Sequence, residues 1–135
     1  MLFLRVFKRR LSLDNATTQE LIDFILESLR LVKRRFKDIK SSDDFLENDD
    51  GLDKLDAISM RLQSIGESVK NLDKTQRELI LQVANKNYWS EIIKARDFIS
   101  HHYVDIDSET VFDICSNELD ELEEKIRKID EIIRK

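Results

Sequence analysis

With 135 residues, no proline, two glycines and a formal net charge of −5, the chain is long enough for one domain with its own core and too poor in turn formers for a sheet. Hydrophobic residues make up 41% and charged ones 38%, the balance of amphipathic helices, so an all-α fold is expected. One cysteine excludes an internal disulfide, and two histidines without a Cys-x-x-Cys pair are too few soft ligands for a structural zinc site.

Residues 1–15 read as an N-terminal extension, and 16–135 as the helical-bundle domain. The opening apolar tract is short and broken by Arg5, unlike a signal peptide. No apolar run approaches the roughly 20 residues that span a bilayer. A cytoplasmic protein is expected. The first long helix is predicted to begin at Thr17, whose spacing to Glu20 is that of a capping box; Leu21, Ile25, Leu29, Val32 and Phe36 then recur at helical intervals. Residues 41–44 are predicted to interrupt it, followed by a short turn over 45–47 and an acidic break over 48–51. A second long helix carries Leu55, Ile58, Leu62, Ile65, Val69 and Leu72 on one face. Gly66 lies inside it, where glycine costs stability relative to alanine, which suggests a close approach of another helix.

Residues 75–83 are expected to form a shorter helix and 84–87 a loop. A further helix begins near Trp89 and runs through Ile92, Ile93, Phe98 and Ile99. Asp107 is a good cap for one last long helix from Val111 to Ile133. The sum is an antiparallel bundle of four long helices plus one or two short ones. Charge is unevenly placed: residues 1–40 hold ten Lys/Arg against five Asp/Glu, or +5, and residues 105–135 hold five against eleven, or −6. The basic triplets 8–10 and 33–35 suit phosphate contacts, although solvated helix faces have the same composition.

One segment concentrates chemistry. Arg96, Asp97, Ser100, His101, His102 and Tyr103 fall within eight residues, just before a helix break. An imidazole can take a proton from a 2′-hydroxyl or give one to a leaving 5′-oxygen, and a guanidinium binds phosphate bidentately and stabilises charge on its oxygens. At about 100° per residue, Tyr103 lies within roughly 20° of Arg96 and His101 about 140° from it. A joint role for Arg96 and His101 therefore needs the helix to end, kink or be completed by a second subunit. No acidic cluster with metal-site geometry stands out, which favours metal-independent chemistry without a cofactor. The same residues also fit a solvated helix end with His101 and Tyr103 packed on their neighbours.

The run from Arg96 to Tyr103 matches Arg-x4-His-x-Tyr and resembles the signature of the HepT-like branch of the HEPN family. The stretch 58–72, with Gly66 and Glu67, is similar to that family's second long helix, Trp89 to Ile93 to its lead-in, and 107–114 to its last-helix start. The likeness runs from about residue 18 to 132. It implies a toxin of a toxin–antitoxin pair: a homodimeric endoribonuclease with two motifs facing one cleft, its substrate RNA. It also implies a minimal nucleotidyltransferase antitoxin as partner, joined in a dimer or larger assembly, that attaches AMP to the motif tyrosine. By position Arg96 and His101 would be catalytic, Asp97 would orient one of them, Tyr103 would be modified, and His102 would be a bystander. No metal ligand is implied. The first fifteen residues, Ser100 in place of alanine and the missing proline before Trp89 depart from the pattern. The other readings are a non-catalytic module that binds a nucleotide or the nucleotidyltransferase, and a plain helical dimerisation protein. Cys115, on an apolar face, reads as core filler.

Overall fold

The computed structural model describes residues 17–101 and 106–135, Ser100 and His101 by backbone alone. The fold is all-α. Helix α1 (Thr18–Phe36) is followed by a 3-10 turn (Ser42–Phe45), α2 (Asp49–Thr75), α3 (Arg77–Leu81), α4 (Lys86–His101), α5 (Ser108–Asn117) and α6 (Leu119–Arg134). The extension over 1–15 lies outside the described residues.

Thr17 caps α1 as its spacing predicts: its hydroxyl accepts from the Glu20 amide at 3.1 Å and donates to the Glu20 carboxylate at 3.0 Å. Leu21, Ile22, Ile25, Leu29 and Val32 form its buried stripe. The interruption over 41–44 is itself the short helical turn, earlier than the sequence suggests. The Asp44 carboxylate accepts from the amides of Lys40 and Ser41 and fixes that turn. Phe45 is fully buried, its ring 6.3 Å from that of Phe36, which in turn lies 5.3 Å from Phe112.

The acidic stretch 48–51 is no break but the start of α2. Asn48 accepts from the Gly51 amide at 2.8 Å, and Asp49 and Asp50 occupy a first turn where negative charge is stabilised. Gly51 has no room for a methyl group, because the backbone carbonyls of Asp44 and Phe45 press on it. At 27 residues α2 is the longest element, and α1, α3, α4, α5 and the 3-10 turn all pack on it.

Helix α4 starts at Lys86, three residues ahead of Trp89, where Asn85 accepts from the Tyr88 amide at 2.9 Å. Trp89 is buried, and its indole N–H donates to the carbonyls of Ile80 at 2.9 Å and Ala84 at 3.2 Å. That pair of bonds fastens the α3–α4 connection to the core. Lys125 of α6 sits 4.8 Å from the centre of the Tyr88 ring, a cation–π contact joining α4 to α6. The predicted last helix is two. Asp107 caps α5 as expected, accepting from the amides of Glu109 and Thr110. The chain then turns at Glu118 before α6 begins. Ser116 and Asn117, which compete for backbone hydrogen bonds, precede the turn. Cys115 is buried, as core filler should be, and its burial pushes the thiol up to about 12.

Helix α6 is tied to α1 by polar links. Lys33 donates to Asp120 at 2.6 Å and to Glu123 at 3.0 Å, and Gln19 donates to Asp130 at 2.9 Å. One member of the basic triplet 33–35 is therefore engaged within the bundle. No helix among the described residues is long and apolar enough to cross a membrane.

Candidate functional site

The site is built where α4 crosses α2. Arg96 faces α2, and Gly66 is the reason it can. A Cβ at position 66 would lie well inside van der Waals contact distance of the Arg96 Cβ, with the Arg96 Cγ 3.1 Å away. The close approach suggested by Gly66 is thus real, and the side chain lying in the gap is that of the candidate catalytic arginine.

With its stem on Gly66, the guanidinium reaches two carboxylates. One terminal nitrogen donates to Glu67 of α2 and the other to Asp97 of α4. The Arg96 side chain is 22% exposed, and its Nε is buried with no hydrogen-bond partner among the described residues. Desolvation opposes the charge, but the carboxylates of Asp97 and Glu67 outweigh it and raise the pKa above the ordinary arginine value. This is a permanently charged, partly exposed fork on a rigid seat. A guanidinium so placed suits bidentate contact with a phosphate or carboxylate.

The other candidate residues are placed less fully. Helix α4 persists to His101, so ideal helix geometry sets the backbone positions of Arg96 and His101 about 140° apart around the axis. His102 and Tyr103 lie outside the described residues. Glu67 was not singled out from sequence as a site residue. It lies 29 positions from Arg96, and its signals were the adjacent Gly66 and its place in the stretch resembling the family's second long helix.

The chain is similar to known proteins along most of its length. The sequence profile of the family described as ribonuclease HepT-like matches residues 25–129, a span that includes α2, α4 and Arg96. A Methanocaldococcus jannaschii protein, named as a gamma-glutamylcyclotransferase and proposed RNase, is 31% identical over 116 residues. The match covers 84% of this chain and 48% of that protein, so the chain spans about half the length of this curated relative. No solved structure matches the chain. With the profile covering all but the ends of the bundle, this chain belongs to the ribonuclease HepT-like family.

Proposed function

We propose that this chain is the toxin of a toxin–antitoxin pair, a metal-independent endoribonuclease of HEPN type. It acts as a homodimer in which the α4 helices of two copies share one cleft, with Arg96 and His101 as catalytic residues. The observation that carries this reading is the seat of Arg96: a partly exposed guanidinium, seated against Gly66 and held by Glu67 and Asp97, inside the span matched by the family. An arginine already holding carboxylates can exchange one of them for a phosphodiester, which offers the same paired oxygens.

In the proposed reaction the 2′-hydroxyl oxygen attacks the adjacent phosphorus while one His101 imidazole takes its proton. The bond from phosphorus to the 5′-oxygen breaks, and a second imidazole, protonated, gives its proton to that oxygen. The products carry a 2′,3′-cyclic phosphate and a 5′-hydroxyl. Arg96 stabilises the charge that builds on the non-bridging oxygens. Two imidazoles are needed and each chain supplies one His101, which is the chemical reason for two copies. A minimal nucleotidyltransferase antitoxin silences the pair by transferring AMP from ATP to the Tyr103 phenol, with pyrophosphate leaving.

Incubation of the purified protein with RNA in EDTA tests the reading. Cleavage leaving cyclic phosphate ends is expected, and Arg96→Ala and His101→Ala should each abolish it while the helical circular dichroism spectrum stays unchanged. Wild-type cutting rates in either variant would overturn the assignment.

A further inference from the structure

Beside Arg96 a groove of about 700 Å³ runs along the C-terminal half of α2 to the start of α3, lined by Glu67, Lys70, Asn71, Asp73, Lys74 and Arg77. Its charge is less balanced than its composition suggests. Glu67, which stands three residues before Lys70 and could neutralise it, is committed to Arg96. Asp73, which lies between the two lysines in sequence, is committed to Arg77 at 3.4 Å. Both carboxylates of the groove are therefore taken, and Lys70 and Lys74 make no ion pair among the described residues. This contrasts with α6, where Lys125, Arg127, Lys128 and Arg134 each pair with a carboxylate four residues earlier. Lys70 and Lys74 are exposed, and one helical turn, about 6 Å along the axis, separates them. Glu67 belongs both to the groove and to the clamp on Arg96, so the groove reaches the carboxylate that holds the candidate catalytic guanidinium.

We propose that this groove is the track for the RNA strand flanking the scissile phosphate, with Lys70 and Lys74 holding backbone phosphates. The proposal rests on the nuclease reading of Arg96 and adds where the rest of the substrate lies. Such contacts recognise the backbone rather than the bases, so they supply affinity without sequence preference. The strand grips an anion-binding pair whose own counter-charges are engaged elsewhere, and enters the site at Glu67, the carboxylate that a phosphate would displace from Arg96.

Binding of a short fluorescent 2′-O-methyl oligouridylate, which lacks the attacking hydroxyl, tests this independently of cleavage. Each phosphate contact on a single strand contributes about 0.7 to the slope of log affinity against log salt, so Lys70→Gln with Lys74→Gln should lower that slope by about 1.4 and weaken binding roughly tenfold at physiological salt. The control is Lys37→Gln with Lys40→Gln, two exposed lysines outside the groove, which removes the same charge and should leave both quantities unchanged. Wild-type affinity in the groove variant, or an equal loss in the control, would overturn the proposal even if wild-type protein cuts RNA. Conversely, a groove-specific loss in a protein that cuts nothing would uphold the track and remove the nuclease reading.

Discussion

A methyl group added at position 66 would meet the Arg96 Cβ, the rigid base of a side chain rather than its flexible end. On helix propensity alone, Gly66→Ala should stabilise α2 by about 1 kcal/mol. Overpacking typically costs about 1–3 kcal/mol, and because neither helix can yield without disturbing the core, the clash should win. The expected result is a lower urea midpoint and, on the nuclease reading, slower RNA cleavage, since Arg96 leaves its seat. A more stable and fully active Gly66→Ala protein would show that α4 shifts freely on α2. Tyr103 gives a second test at this scale. Incubated with the cognate nucleotidyltransferase, ATP and magnesium, the protein should gain AMP mass on the peptide holding Tyr103, and Tyr103→Phe should stay unmodified and active. Complete inhibition with an unmodified wild-type peptide would point to plain occlusion by the partner. Arg96 and Asp97 were legible as neighbours in the sequence. Glu67 was not, because a contact between two helices leaves no local spacing to read, only a glycine where a larger residue would have been in the way.

Between elements, the Lys33 link from α1 to α6 has a definite pH signature. The hydrogen bond from Lys33 is the leading reason that the carboxyls of both Asp120 and Glu123 fall below their ordinary values. A carboxylate with a lowered folded pKa stabilises the fold above its unfolded pKa and loses that contribution as the pH falls through the folded value. For Lys33, desolvation opposes the charge but the two carboxylates outweigh it and raise its pKa, so its contribution fades only as the pH climbs past the lysine range. The Lys33–Glu123 pair is partly exposed, which limits it to roughly 0.5 kcal/mol. Lys33→Met should therefore be slightly less stable than wild type near neutrality, and urea midpoints measured from pH 7 downward should converge below pH about 4. A stability difference that stays constant over that range would rule out the ion pairs as its source. Most of the helices were legible in the spacing of apolar residues, and Thr17 and Asp107 marked two starts correctly. The division of the last helix was hidden because Val111, Cys115, Leu119, Leu122, Ile126 and Ile129, all buried, keep helical intervals across Glu118. The core does not register that turn. The segment 48–51 was misread for a related reason: Asn, Asp and Gly serve turns and helix starts alike, and packing on Asp44 and Phe45 decides between them.

For the whole molecule, the proposed chemistry makes a monomer incomplete. A two-fold axis relating the α4 helices would bring two Arg96 and two His101 residues to one cleft, so light scattering at micromolar concentration should give twice the chain mass. A monomer that still cleaves RNA would require His101 to act alone or with His102 as base and acid and would sink the shared-cleft mechanism. The seating of Trp89 has a practical bearing on all of these measurements. It is the only tryptophan in the chain, 1% exposed, with its indole N–H bonded to two carbonyls, and it stands seven residues before Arg96, about two turns away on the same side of α4. The protein thus carries a built-in chromophore on its site helix. Native emission should be blue-shifted and should move to the red when α4 leaves the core, so intrinsic fluorescence can separate a variant that has lost its chemistry from one that has lost its helix.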